Sequence, residues 1–304
     1  MPKISQHSSD IVPLLQGIHL FHDDIAPCAQ RVRFVLAEKG LTRNPDTKFD
    51  DVSAASLVAA EGSWNSRIVS LIRKEQFTEA YSAIQPNLVI PALVHNGELY
   101  TESIDIIEYL DSVLAGDRLV PSQDDPRYED FHYLTELGKK LHWSIRHVTY
   151  RWGGVGRLNA KEQDKVESLL KRGRDEENLA EFYRDFSQGK ISQETYDEHL
   201  RAIGQGFDEL TKRLHDGRPF LTGDSLTIAD AIWAMKVIRL EEMAYPTNEL
   251  HPEIAEWFAR IAARPSYETL VSNYRVLRLV FKVKSWLEKK LGTGLYWAAK
   301  RVVS

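Results

Sequence analysis

The sequence predicts a two-part protein, a mixed α/β first portion of about a hundred residues followed by an all-helical portion. Three observations predict this. Strand-like runs and the tight-turn dipeptide Asn96-Gly97 fall before residue 115. Beyond Pro121 strand signals almost vanish, and residues 125–270 read as helices separated by Gly153-Gly154, Gly189, Gly217 and Pro246. The composition, 43% hydrophobic and 27% charged, is that of an ordinary folded domain.

Each element has its own signal. Residues 1–16 are polar, lack an apolar signal core and read as a loose leader. Ile18 to His22 is a short strand ending at Asp23-Asp24. Pro27 opens a helix whose core positions are Val32, Val35 and Leu36, and Lys39-Gly40 closes it. A second strand is expected near Thr47 to Val52, and Ala54 to Ile84 reads as helical without a clear apolar stripe. Leu88 to Val94 reads as a buried strand containing Pro91, and Glu98 to Tyr100 returns as its hairpin partner. Thr101 to Leu114 follows as a helix, with Ile104, Ile107, Tyr109 and Leu110 facing the core. The order β-α-β, helix, β-β-α is a thioredoxin-type layout over residues 17–115. The expected helical domain spans 125–270, and residues 271–304 form a separate extension.

Charge and cysteine usage narrow the function. The net charge is −5, yet Arg275 to Arg301 holds eight basic residues against one acid, Glu288. That stretch carries +7 and the remainder −12, which makes the body a poor nucleic-acid partner. Cys28 stands alone, so no internal disulfide forms and a reducing, cytoplasmic setting is expected. No HExxH, CxxC, GxGxxG or P-loop occurs, so neither metal nor nucleotide is implied. No run is long and apolar enough to span a bilayer.

Three patterns carry a resemblance. They are Ala26-Pro27-Cys28-Ala29-Gln30-Arg31-Val32-Arg33 with Glu38-Lys39-Gly40-Leu41; Val89-Ile90-Pro91-Ala92-Leu93 with Asn96-Gly97, Thr101-Glu102-Ser103 and Ile107-Glu108-Tyr109-Leu110; and Phe220-Leu221, Gly223-Asp224 and Leu226-Thr227-Ile228-Ala229-Asp230. In this order over residues 18–270 the chain resembles the glutathione transferase superfamily, whose co-substrate is glutathione. The resemblance implies a cis peptide before Pro91, with the Ile90 backbone pairing with the peptide ligand. It implies that Glu102 and Ser103, at a helix start, hold the γ-glutamyl end. Thr227 and Asp230 form a capping-box variant. The family's usual Ser or Cys falls on Ala26, which has neither hydroxyl nor thiol. Another bacterial class places a cysteine at Cys28. Cys28 is therefore either a mixed-disulfide nucleophile or a packed small residue, with backbone amides near Ile25 and Ala26 holding the thiolate instead.

Two departures stand out. The chain is longer by roughly twenty residues before Pro91, around Trp64 and Arg67 to Lys74, and it carries a charged stretch from Glu162 to Arg201. The second feature gives a weaker resemblance to bacterial β-etherases and to ganglioside-induced differentiation-associated proteins. His147, Tyr150 and Trp152 lie on an early helix of the second portion, which the resemblance implies borders the pocket of an aromatic or hydrophobic substrate; ordinary helix packing by aromatics is the alternative. The resemblance implies thiol activation for detoxification-type conjugation or ether cleavage, in a homodimer. The rival reading is a non-catalytic scaffold on a membrane surface or protein partner. In the extension, Val276, Val280, Val283, Leu287 and Leu291 fall on one helical stripe, with Arg275, Arg278, Lys282 and Lys289 on another face. Packing of that stripe on the acidic body is the favoured expectation, with peripheral membrane contact the alternative.

Overall fold

The structure, a computed structural model, describes residues 4–154, 156–173, 175 and 178–303. In chain order the elements are β1 (Ile18–His22), α1 (Pro27–Glu38), β2 (Thr42–Arg43), β3 (Thr47–Lys48), β4 (Ser63–Ile68), α2 (Glu79–Ile84), β5 (Ala92–His95), β6 (Glu98–Tyr100) and α3 (Ser103–Val113). There follow α4 (Tyr128–Lys140), α5 (His142–Gly153), α6 (Ala160–Arg172), α7 (Leu179–Ser187), α8 (Gln193–Leu214), α9 (Ile228–Glu242), α10 (Thr247–Leu250), α11 (Pro252–Ala262), α12 (Pro265–Val271), α13 (Arg275–Lys290) and α14 (Gly294–Val302). They divide into two compact units: Met1–Asp117 with Arg157–Gln188, and Arg118–Gly156 with Gly189–Ser304. The mixed sheet and the helical half follow the fold class expected from the sequence. The charged stretch is shared between the units, because 157–188 groups with the sheet although its position in the chain suggested the helical portion.

In the first unit the sheet runs β2-β4-β1-β5-β6, with β3 also on β4. β1 is parallel to β4 and antiparallel to β5, and β5 is antiparallel to β6. All five residues of β1 are buried, as befits a central strand covered on both faces. Asn96 and Gly97 take φ of 52° and 81°, the left-handed pair that a two-residue hairpin requires. α1 packs against α3. Phe21, Ala29, Tyr81, Ile84, Val94 and Leu99 share one buried cluster.

The second strand expected at Thr47 to Val52 is only the two-residue β3 there, and the central partner of β1 is β4. The segment read as helical, 54–84, is helical only at short turns and at α2. β4 reads Ser-Trp-Asn-Ser-Arg-Ile, so its burial is not matched by apolar side chains. Hydrogen bonding makes this tolerable. Arg67, wholly buried, donates to the carbonyls of Phe49 (3.1 Å), Asp51 (2.9 Å) and Ser56 (2.6 Å) and to His19 Nδ1 (3.2 Å). Trp64 and Arg67 thus belong to the sheet and are not an inserted excursion.

Helices α6 and α7 dock on this unit through a Phe77–Tyr183 edge contact, with ring centroids 5.3 Å apart, and a Lys74–Glu162 pair at 2.7 Å. Asn159 and Glu162 close the start of α6 with a capping box.

The second unit is built around α9, whose residues are buried all round except Glu241. Asp230 near its start is fully buried. Its carboxylate accepts from the backbone N–H of Leu221 and of Thr227 and from Trp257 Nε1, each at 2.9 Å. A Cβ at Gly138 would sit 2.6 Å from Ile232, so glycine there lets α4 lie close against α9. α13 and α14 pack against each other, and α13 also meets α9. The stripe expected to pack on the body does not: Val276, Val280, Val283, Leu287 and Leu291 are exposed, and Phe281 and Ser285 face inward instead. The physical reason is that Arg278 on the inner face pairs with the buried Glu242 at 3.2 Å, which fixes the helix rotation.

Candidate functional site

The pairing of the first unit brings three separated segments to one end of its sheet. Phe21 of β1 faces Ala92 of β5, so the β1–α1 turn lies beside Pro91. Leu93 faces Tyr100, so Thr101, Glu102 and Ser103 emerge at that same end. His22 is level with Ile68 of the parallel β4, which adds Val69 to Leu71.

The turn before α1 is closed by its own side chains. Asp23 accepts from Ile25 N at 3.2 Å and Leu71 N at 2.8 Å, tying the turn to the chain after β4. Burial pushes the Asp23 carboxyl up, and these backbone N–H groups oppose the shift. Asp24 pairs with Arg33 of α1 and with Arg43 at 2.7 Å, and its carbonyl accepts from Arg33 at 2.8 Å and from Gln30 at 3.2 Å. His22, beneath them, is held well below its ordinary pKa, first by burial and then by Arg33 and Arg43, so it is a neutral imidazole. Its Nε2 meets Ser66 Oγ at 2.9 Å, and that hydroxyl donates to Asp46 at 2.7 Å.

Ala26 is the N-cap of α1, with Pro27 as the first helical residue. The alanine side chain has no group to cap that helix start. Ala26 is buried and Cys28 half-buried in the first turn. The Ile90–Pro91 peptide is cis, as the resemblance implied. Glu102 adopts φ 62° and ψ 107° at the N-cap of α3, a left-handed conformation costly for a residue with a Cβ. Ser103, the first residue of α3, is mostly buried, and Asp105 is the acid of the first turn. This end of the sheet therefore holds two helix starts and one extended backbone edge. Such a set suits an anionic extended peptide.

The second-substrate candidates lie on α5 in the other unit. His147 is buried, bonded through Nδ1 to the Trp143 carbonyl at 3.0 Å and lying 3.9 Å from the His199 ring. Burial holds it below its ordinary pKa. Trp152 is half-buried beside Tyr196 at 5.9 Å, and its carbonyl accepts from Lys284 at 2.8 Å. Tyr150 is half-buried, and its ring lies where a Cβ on Gly156 would stand.

Sequence reasoning missed the bracing residues Asp23, Asp24, Arg33 and Arg43, and the strained Glu102 backbone. A signal was available for three of them: Asp23 and Asp24 stand shortly before a proline-started helix that carries Arg33 within two turns. No composition cue gives the φ of Glu102. Among the described residues no cluster of His, Cys, Asp and Glu is arranged to hold a metal.

Comparison with known proteins bears on this arrangement. Residues 25–113 match the glutathione S-transferase N-terminal domain, and residues 193–260 match the glutathione S-transferase C-terminal domain. Protein LigF from Sphingobium sp. SYK-6 is 24% identical over 64% of this chain and 78% of its own length. Tetrachloro-p-hydroquinone reductive dehalogenase from Sphingobium chlorophenolicum is 24% identical over 83% of this chain and 94% of its own. The crystal structure of the β-etherase LigF superposes with a TM-score of 0.67 at 20% identity, covering 85% of this chain and all of that one. A glutathione transferase homologue from Drosophila mojavensis, with bound glutathione, gives 0.60 at 18% identity over 89% and 97%. Both domain matches fall in their proper order, one over the sheet with its site and one over the central helices, together just over half of the residues, and the chain belongs to the glutathione S-transferase family.

Proposed function

We propose that the chain binds reduced glutathione at this end of the sheet and directs its thiolate at an electrophilic aromatic or hydrophobic substrate. The observation that carries the reading is the convergence of the start of α1, the Ile90–Pro91 edge and the strained Glu102–Ser103 helix start. Glu102 and Ser103 take the γ-glutamyl group: the α3 amides and the Ser103 hydroxyl suit its carboxylate, and the Glu102 carboxylate suits its amine. The Ile90 backbone takes the cysteinyl peptide.

The sulfur is assigned to the Ala26–Cys28 turn. Ala26 has nothing to donate from its side chain, so stabilisation of the thiolate falls to main-chain amides and the positive end of α1. The step is a displacement: the sulfur forms a bond to carbon while that carbon's bond to a halide or ether oxygen breaks, and the leaving group departs with the electron pair. Names of relatives, a β-etherase and a chlorinated-hydroquinone dehalogenase, support an aromatic acceptor with a leaving group. Tyr150 and Trp152 are the acceptor-side aromatics we assign. His147, the third candidate on α5, is buried against His199. We place the protein in the cytoplasm, where reduced glutathione is abundant, and as a homodimer.

An assay with an aryl chloride and an aryl ether, each with and without glutathione, tests the reading. Glutathione-dependent product from either supports it, and no product from a panel of both kinds counts against it. Cys28→Ser keeps the turn's amides, so it is expected to retain conjugation. Its complete loss in a folded protein would move the chemistry to the Cys28 thiol.

A further inference from the structure

The outer face of α13 carries exposed apolar side chains that a glutathione site leaves unexplained. Alongside the five exposed residues of its stripe, Leu279 is 62% and Trp286 57% exposed, and helical spacing puts them on the same face. Exposed apolar side chains in this number on one helix mark an interaction surface.

This face is fixed outward. On the inner side Tyr274 donates to Glu242 at 3.0 Å, Arg239 and Arg278 pair with the same carboxylate at 3.1 and 3.2 Å, and Ser285 donates to the Glu242 carbonyl at 3.2 Å. Glu242 is 1% exposed, so rolling α13 to hide its stripe would take two partners, Tyr274 and Arg278, from a buried carboxylate. Lys284 is likewise engaged, with the Trp152 carbonyl at 2.8 Å and Glu288 at 2.6 Å.

Charge selects the occupant. Lys282 and Lys290 are exposed at the rim and within the face, and Arg275 and Lys289 flank it. The one acid of α13, Glu288, is turned toward Lys284. Arg275 and Lys289 have surface carboxylates nearby, Glu268 and Glu249, but such exposed pairs are weak and open to exchange for other anions. A second copy docked through this face would bring lysines against lysines, at a cost. An apolar face rimmed by cations suits a surface of acyl chains under anionic headgroups. Trp286 has the amphipathic ring that settles at the headgroup level. No described helix is long and apolar enough to cross a membrane, so the contact lies in the plane of the surface.

We propose that α13 is a peripheral membrane-docking helix, laying its exposed apolar face into an anionic lipid surface. The proposal goes beyond the glutathione site and does not depend on it. Full-length protein is to be sedimented with vesicles of phosphatidylcholine and phosphatidylserine in equal parts, and with phosphatidylcholine alone, at low and physiological salt. Binding is expected to the mixed vesicles, weaker by about tenfold or more on the neutral ones and falling with salt. Lys282→Glu with Lys290→Glu, and separately Leu279→Gln with Leu287→Gln, should each weaken binding about tenfold or more. All four positions are exposed. Should the glutamine pair lower the melting temperature, the charge-reversed pair alone decides. Failure to bind either vesicle, or equal binding to both, overturns the proposal. So does a drop in oligomeric mass in the glutamine pair without vesicle binding by the parent protein, which would assign the face to a second copy.

Discussion

At the scale of single residues, polar groups in the first unit's core decide its chemistry. His19 sits between two fixed partners. Arg67 Nε donates to its Nδ1 at 3.2 Å, so Nε2 carries the proton and donates to the Gln16 carbonyl at 2.8 Å. Burial, opposed by that carbonyl and aided by the Arg67 charge, pushes its pKa from 6.5 down to about 4. Between these values the unfolded chain holds a proton that the folded chain lacks. Stability is therefore full above about pH 6.5 and is lost as pH falls toward 4. His22 is shifted the same way and adds to the effect. The expected outcome is a urea midpoint that falls over this window, with nitrogen NMR showing His19 still neutral and protonated on Nε2 at pH 5. A His19 ring titrating near 6.5 in the folded protein would contradict it.

The same residues explain what the sequence concealed. Arg67, Asn65 and Ser66 made β4 read as something other than a buried strand, because periodicity counts apolar side chains and cannot see carbonyls waiting for a buried guanidinium. Ile18 to His22, the Asn96-Gly97 hairpin and the Thr227–Asp230 start of α9 were legible, since each rests on local chemistry. Pro91, Glu102 and Ser103 could be named from the family resemblance. Their convergence follows from strand register, which no local window contains.

At the scale of elements, α9 depends on its first turn. Asp230 satisfies two backbone amides and the Trp257 indole inside the second unit. Asp230→Ala removes the acceptor of four buried donors, the Thr227 hydroxyl included, and should cost roughly 3–5 kcal/mol in chemical denaturation. Asp230→Asn keeps one acceptor oxygen and should cost less. Equal stability of the alanine variant and the parent would remove Asp230 from this role. The docking of α6 and α7 on the sheet unit shows the converse limit of sequence reading. The sequence marked them only as part of a charged stretch, and the partner that receives the apolar side of α7, around Phe77, lies far back in the chain.

At the scale of the whole molecule, two units supply two kinds of surface. The sheet unit gathers two helix starts and a backbone edge at one end of its sheet. The helical unit supplies aromatic side chains on α5 and the basic, apolar outer face of α13. We expect the protein to self-associate as a two-fold dimer, the commonest closed assembly, with light scattering in vesicle-free buffer giving twice the 34.8 kDa chain mass. That mass should be unchanged by Lys282→Glu with Lys290→Glu. A monomer mass at micromolar concentration would refute the dimer.

The central claim is that glutathione binds where Ala26, Ile90 and Ser103 converge, and calorimetric titration tests it most directly. Reduced glutathione should bind the parent protein with measurable heat. Ser103→Ala, which removes one donor to a carboxylate and leaves the α3 backbone in place, should weaken binding by roughly 1–3 kcal/mol. Absence of binding to the parent protein, or unchanged affinity in the Ser103→Ala variant, would contradict the account.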